Sequence, residues 1–185
     1  MEEIAAKASV SKQTVYKHFA DKERLFTEII LASTSEIDRV VALVAGALVE
    51  TRELKRDLSH LGRQFMALLM DPQLLRLRRL VIANADRMPE LGRTWYEQGF
   101  ERVLATLATC FAGLARRNLL HAEDPLIAAH HFVGLLLWIP VNQAMFTGSE
   151  QPCTKAELDR YAVAAVNAFL AAYSVKTKAA GKSPR

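Results

Sequence analysis

Residues 4–19 read IAAKASVSKQTVYKHF, and the order of small, apolar and polar residues in this stretch determines the fold of the N-terminal region. The small side chains of Ala5 and Ala6 would let two short helices approach closely. Val10 in the intervening turn and Val15 in the second helix could fill the angle between them. The pattern therefore predicts a helix-turn-helix.

Polar side chains crowd the second helix of this pair, and no acidic residue lies among them. Ser11 is a suitable N-cap for a helix that begins at Lys12. Such a helix can enter the major groove of DNA, where hydroxyls and cations bond phosphates and a glutamine can address adenine. The alternative is an ordinary amphipathic helix pair with a solvated face. The candidate DNA contacts are Ser11, Lys12, Gln13, Thr14, Tyr16, Lys17, His18 and Lys22.

Three pieces of this region resemble the TetR-family signature almost residue for residue: SKQTVYKHF at residues 11–19, DKE at 21–23 and LF at 25–26. In that family the aromatic residue at the position of Phe19 ends the recognition helix, and the lysine at the position of Lys22 binds a DNA phosphate. The resemblance implies a ligand-responsive DNA-binding transcriptional regulator. Its simplest form is a repressor that binds a palindromic operator as a homodimer.

The family carries a further amphipathic helix before the point at which this chain begins. That helix would cover Ile4, Ala8, Val15 and Phe19. We therefore expect either a shortened start or a loose helix-turn-helix with weak DNA affinity, since so small a domain has little stability to spare. The matching alternative function is a helical ligand-binding scaffold that does not bind DNA.

The remainder of the sequence more loosely resembles the body of AefR-like regulators in the same family. The resemblance extends from Phe65 to Tyr173 and rests on LVIAN at 80–84, PEL at 89–91 and Asp124-Pro125. It implies a helical body whose last two helices form a dimeric four-helix bundle. The fold class is thus all-α, with a helix-turn-helix joined by a long helix to a ligand-binding and dimerisation body.

Apolar spacing and helix-ending residues predict the helices and domains. We expect a DNA-binding head with its connecting helix at 1–48, a ligand-binding and dimerisation domain at 49–174, and a disordered basic tail at 175–185. A helix long enough to join two lobes would run from Lys22 to about Leu48. The remaining helices are predicted at residues 53–70, 73–84, 89–118, 125–146 and 155–173.

The resemblance further implies that an apolar small molecule binds inside the body. Two pairs at helical spacing, Trp95 with Gly99 and Trp138 with Asn142, hint at a cavity. Plain core packing is the alternative for each aromatic residue. The candidate pocket residues are Phe65, Leu69, Leu77, Trp95, Tyr96, Phe100, Phe111, Phe132, Trp138 and Asn142.

Dimerisation is predicted from the last two helices. The helix at 125–146 is apolar on too many sides for the surface of a monomer, and small residues in the last helix allow close approach. Pro140 should kink the former helix or end one of its turns. Burial under other helices of the same chain is the alternative. The candidate interface residues are Leu136, Leu158, Tyr161, Ala165 and Phe169.

Composition argues against several other classes of protein. The 24 Lys and Arg residues against 20 Asp and Glu give a net charge of +4, which favours polyanion binding only weakly. Neither the two cysteines nor the adjacent His130 and His131 form a metal-binding motif, so no metal or cofactor is expected. An enzyme built on a helical bundle is a further alternative, but no catalytic motif supports it.

No targeting segment is predicted. The N-terminus has no apolar stretch before a cleavage site. The most apolar run, Leu135 to Pro140, is shorter than the ~20 residues that cross a bilayer. These features predict a cytoplasmic protein.

Overall fold

A computed structural model describes residues 1–32, 34–149 and 151–175. Within these ranges the secondary structure is helical, apart from an isolated bridge between Leu120 and Ser174, which confirms the all-α prediction. A six-residue π-helical segment, Tyr96–Glu101, joins α7 to α8. The α-helices are α1 (Glu2–Lys7), α2 (Lys12–His18), α3 (Lys22–Ala32), α4 (Thr34–Ala47), α5 (Leu54–Leu69), α6 (Pro72–Asn84), α7 (Pro89–Trp95), α8 (Arg102–Arg116), α9 (Pro125–Thr147) and α10 (Lys155–Tyr173).

The body comprises α5 to α10, and capping side chains explain where three of its helices, α6, α9 and α10, begin. Asp71 accepts hydrogen bonds from the amides of residues 73 and 74, and Asp124 accepts them from residues 126 and 127. Proline occupies the first turn of α6 and of α9, where its missing N–H is not needed. Thr154 and Glu157 form a capping box at α10.

Aromatic side chains from three helices form the centre of the body. The ring centroids of Phe111 and Phe132 are 5.7 Å apart, and that of Phe169 lies 5.2 and 5.1 Å from them. Among the described glycines, Gly62 in α5 is the most closely packed, since a Cβ atom there would lie 3.2 Å from Leu136 Cδ2. Glycine at this position therefore lets α5 approach α9 and α10.

The predicted long helix from Lys22 to Leu48 corresponds to two helical segments, α3 and α4. Ser33, which separates them in the sequence, lies outside the described residues. Phe26 and Ile30 of α3 pack with Val81 of α6 and Leu91 of α7. We call these four residues the α3–α7 cluster. The cluster joins the helix that follows the helix-turn-helix to the body.

The α9 helix is apolar nearly all round and continues through Pro140, so the proline does not end it. By length and composition alone this 23-residue helix could cross a membrane. The prediction that the apolar run is too short to do so, made from Leu135–Pro140, is wrong by that criterion. A helix in the core of a bundle meets the same criterion. Here α9 packs against α8 and α10 through residues that include Phe132 and Leu136.

Candidate DNA interface and ligand pocket

The helix-turn-helix forms as the sequence predicts. Its turn passes through Ser9, which has a left-handed φ of 55°. The Ser11 hydroxyl oxygen accepts a hydrogen bond from the Thr14 amide at 3.0 Å, so α2 begins at Lys12. The two hydroxyls are 2.8 Å apart. Ser11 therefore sets the start of the recognition helix in addition to any contact that it makes with DNA.

One residue of α1 and one residue of α2 are buried. Ala5 and Val15 are buried, which agrees with their predicted roles. Val10 is 43% exposed and does not fill the angle between the helices, so the prediction for this residue is wrong. The chain reverses at the left-handed residue Ser9 just before it, which leaves the Val10 side chain at the surface. Ala6 is exposed as well.

The predicted DNA contacts lie at the surface. Thr14 is half-buried, and the other seven residues, Ser11, Lys12, Gln13, Tyr16, Lys17, His18 and Lys22, are exposed. Tyr16 retains 44% of its exposure although it lies one residue after buried Val15. The recognition helix thus presents hydroxyl, amide and cationic groups outward, while Val15 holds it to α1.

Two of the candidate lysines have partners within the chain. Lys12 Nζ lies 2.5 Å from Glu2 Oε1, and this hydrogen bond, together with the attraction between the two charges, lowers the pKa of Glu2 and raises that of Lys12. The Lys22 ammonium lies 5.2 Å from the centroid of the Phe26 ring. Both lysines are exposed, and a phosphate contact by Lys12 would have to replace its pairing with Glu2.

A small apolar cavity lies between the α5–α6 pair and α7–α9. Its volume is about 30 Å³, enough for one or two waters. Of the predicted pocket residues, Phe65, Leu69, Trp95 and Phe100 line it, together with Gly99. The full lining is Ile37, Phe65, Leu69, Leu74, Arg78, Trp95, Gly99, Phe100, Val103, Leu104, Val133 and Leu137.

Four other predicted pocket residues lie elsewhere in the body. Leu77 packs against the α3–α7 cluster. Tyr96 is 49% exposed, and its ring stacks on that of Phe100 at 6.0 Å between centroids. Phe111 and Phe132 are completely buried in the central core, as the alternative of plain packing proposes.

The predicted cavity at Trp138 and Asn142 is also corrected. Trp138 is 73% exposed, and the Asn142 amide donates a hydrogen bond to the Trp138 carbonyl oxygen at 2.6 Å. The buried face of α9 carries Leu136, Leu137 and Pro140, so the 100° step per residue turns position 138 outward. Trp138 therefore lies at the surface.

The predicted dimer contacts mostly face the core of their own chain. Leu136, Ala165 and Phe169 are buried, and Leu158 and Tyr161 are half-buried against the same core. This corrects the prediction for the first three, because residues already covered within one chain cannot also form a surface. A different set of α9 residues is exposed, which we call the outer face of α9: Ile127, Leu135, Trp138, Ile139 and Phe146.

Arg78 is the charged residue among the cavity residues that the sequence did not predict. Its side chain is only 8% exposed, and its guanidinium carbon lies 5.1 Å from the centroid of the Phe100 ring. Desolvation by burial lowers the pKa of Arg78. A signal was present, because Leu74, Arg78 and Val81 have the spacing of one helical face and all three are buried.

The two cysteines are not activated as thiolates. The Cys110 thiol lies 3.6 Å from the Val44 carbonyl oxygen, and burial raises its pKa. The Cys153 thiol donates to Gln143 Oε1 at 2.9 Å, and burial together with the charge of Glu157 raises its pKa. Both thiols therefore stay protonated near neutral pH, which argues against a redox role for either.

Comparison with known families and structures places this geometry in context. Residues 1–29 match the family model described as bacterial regulatory proteins, tetR family. Residues 56–175 match the model described as the C-terminal domain of AefR-like transcriptional repressors. A search of curated proteins finds no match.

Solved structures agree with both family matches. A crystal structure assigned to the TetR family, from Mesorhizobium loti MAFF303099, is 55% identical with a TM-score of 0.85 and covers 94% of this chain and 86% of its own. The flavonoid-responsive regulator FrrA is 26% identical, with a TM-score of 0.72 and coverage of 96% and 87%. A TetR-family regulator from Pseudomonas syringae pv. tomato str. DC3000 is 26% identical, with a TM-score of 0.71 and coverage of 95% and 86%.

Proteins of this type are soluble cytoplasmic transcriptional regulators and are not enzymes. The recognition helix α2 lies within the N-terminal match, and the cavity and the outer face of α9 lie within or beside the C-terminal match. The chain belongs to the TetR family of ligand-responsive, DNA-binding transcriptional regulators, in its AefR-like branch.

Proposed function

We propose that this regulator is a repressor that binds a palindromic operator as a homodimer and leaves it when a small molecule enters the body. The observation that carries the proposal is the exposed row of hydroxyl, amide and cationic side chains on α2. The alternative of a scaffold without DNA binding is not favoured, because the N-terminal family match includes the whole recognition helix.

The outer face of α9 supports pairing of two chains. Trp138 and Phe146 are 73% and 86% exposed, which is unusual for large apolar side chains on one helix. Exposed Ala164, Ala168 and Ala171 on neighbouring α10 would allow a second copy to approach closely. Two-fold pairing through this surface would place the recognition helices about one DNA turn apart, ~34–36 Å in many helix-turn-helix dimers.

The cavity is the proposed site for the effector. At about 30 Å³ it is far smaller than the roughly 300–1,000 Å³ of typical ligand pockets, so binding has to displace its walls. The π-helical segment supplies part of these walls, and such segments often occur at functional sites. FrrA is named as flavonoid-responsive, which supports a small organic molecule as the effector class.

Trp95 is the proposed link between the effector and DNA. Its side chain lines the cavity and also packs against the α3–α7 cluster. A ligand that displaces Trp95 would disturb Phe26 and Ile30 on α3, the helix that follows α2. By linkage, an effector that weakens DNA binding must itself be weakened by DNA.

The test replaces Tyr16 and Lys22 together with alanine and measures binding to operators selected from a pool of random duplexes. We expect affinity to fall by about tenfold or more, because a groove contact and a phosphate contact are lost. The matched control replaces Tyr96 and Lys155, an exposed tyrosine and lysine of the body. Sedimentation should show the same assembly state for both variants. Unchanged DNA affinity in the first variant would refute the assigned interface.

A further inference from the structure

The effector cavity contains a charge that its other walls do not match. Among its described lining residues, Arg78 alone carries a charged side chain, and the rest are aliphatic, aromatic or glycine. Arg78 extends from α6 and is only 8% exposed, so most of its side chain is removed from bulk water. Arginine remains protonated in proteins even when burial lowers its pKa. The cavity therefore holds a permanent positive charge.

Nothing negative in the described part of the chain neutralises this charge. No described carboxylate or carbonyl group pairs with the Arg78 guanidinium, whose carbon instead lies 5.1 Å from the centroid of the Phe100 ring. Its neighbour Arg79 donates instead to the Ser149 carbonyl oxygen at 3.2 Å. A buried cation without a counterion is unfavourable, because desolvation of its charge is not offset by pairing. A ring face offsets only part of that penalty.

We propose that the effector is a small amphipathic anion: an apolar, ring-containing body with one negatively charged group that pairs with Arg78. This inference rests on the proposed function, which places the effector in this cavity. Arg78 would hold the anionic group with the planar donors of its guanidinium, and Phe65, Trp95 and Phe100 would contact the apolar body.

The unpaired charge also explains how a ligand could enlarge so small a cavity. A ligand shifts a conformational equilibrium only through a difference in affinity for the two states. Pairing an anion with a desolvated cation supplies such a difference, because it is available only when the cavity has opened. A neutral molecule of the same shape lacks this contribution.

The experiment compares two probes that share one ring system. Anilinonaphthalene sulfonate carries a sulfonate group, and phenylnaphthylamine lacks it. We expect calorimetry on the full chain to show that the sulfonate binds more tightly, by about tenfold or more, equivalent to about 1.4 kcal/mol. Arg78→Gln should abolish this preference. The matched control is Arg76→Gln, which removes the same charge from an exposed position on α6 and should leave the preference intact.

Cavity-filling variants separate failure of this inference from failure of the proposed function. A Cβ atom at Gly99 would lie 3.9 Å from Ile37 Cδ1, so Gly99→Leu should occupy the cavity and block both probes. Val133→Phe fills it from α9 and serves if the first variant does not fold. Probes unaffected by either filled variant would overturn both the effector site and the anion. Probes blocked by filling but insensitive to Arg78→Gln would overturn the anion alone.

Discussion

The helix-turn-helix and the body use their side chains in opposite ways. In the described helix-turn-helix, Ala5 and Val15 are buried and the polar side chains of α2 face outward. The body instead encloses large side chains such as Phe111, Phe132 and Phe169. A short motif can identify a surface that presents fixed chemistry, whereas a packed interior depends on neighbours from distant parts of the chain. We therefore expect body substitutions to change stability and helix-turn-helix substitutions to change DNA affinity.

The largest effect is expected for Phe132→Ala. Phe132 is fully buried between the rings of Phe111 and Phe169, so its truncation should lower the free energy of unfolding by about 3–5 kcal/mol. Denaturant titration gives this value, and Ile82→Ala at a 61% exposed position is the control. If Phe132→Ala altered the operator affinity of the folded protein but not its stability, the division between the two regions would fail.

A double substitution, Trp138→Glu with Phe146→Glu, tests whether the exposed outer face of α9 is the dimer contact. Charge at an apolar dimer contact should raise the dimer dissociation constant about a hundredfold or more, about 2.7 kcal/mol. Sedimentation at several concentrations measures it. Ile82→Glu places one of the same charges on an exposed residue of α6 and should leave the dimer intact. An unchanged dimer would exclude this face as the contact.

Ser11 serves the helix-turn-helix twice in our proposal, and its two roles can be separated. Ser11→Ala removes the N-cap of α2 and should lower stability by about 1 kcal/mol and weaken operator binding. Ser11→Asp keeps a cap but brings a negative charge to the DNA phosphates. We expect it to restore the melting temperature without restoring DNA affinity. Recovery of both would mean that Ser11 acts on DNA only through the helix.

The smallest effect is expected from Glu2, which pairs with the candidate DNA contact Lys12. Glu2→Gln should raise operator affinity about two- to threefold, because the freed lysine can bind phosphate. Glu3→Gln makes the same change in net charge at an exposed neighbouring residue, and a gel mobility-shift assay should show a smaller gain in operator affinity. Equal gains in the two variants would show that only overall charge matters.

The same pair has a defined pH dependence. Lys12 lowers the pKa of Glu2 in the folded state. The pair therefore contributes fully to stability above the pKa that the carboxyl group has in the unfolded chain, and this contribution is lost as pH falls through the lowered folded-state pKa. Titration of Glu2 by nuclear magnetic resonance should show this lowered pKa, and Lys12→Gln should return it toward the ordinary range. A Glu2 pKa that does not respond to Lys12→Gln would contradict the pairing.

Local chemistry made much of the fold predictable from sequence. Ser11 carries an oxygen that can bind a free amide at a helix start, which predicts that α2 begins at Lys12, and the structure places it there. The candidate DNA contacts, which lie at the surface, followed from one short motif. These features need no knowledge of what lies across the core.

The errors concern rotation about helix axes. Since α9 is apolar nearly all round, its sequence could not show that Trp138 faces outward while Leu136 faces the core. The extra residue per turn in the π-helical segment shifts the faces of the predicted helix at 89–118. Arg78 was hidden among the similar residues Arg76 and Arg79, although its position on the apolar stripe of α6 marks it as different.

The two tryptophans are intrinsic fluorescence probes of two different parts of the protein. Trp95 is half-buried beside the cavity, and Trp138 is 73% exposed on α9. Trp138→Phe would leave emission from the cavity alone, and Trp95→Phe would leave emission from the outer face alone. Wavelength shifts in these single-tryptophan proteins would then follow effector entry and subunit association as separate events, without an added label.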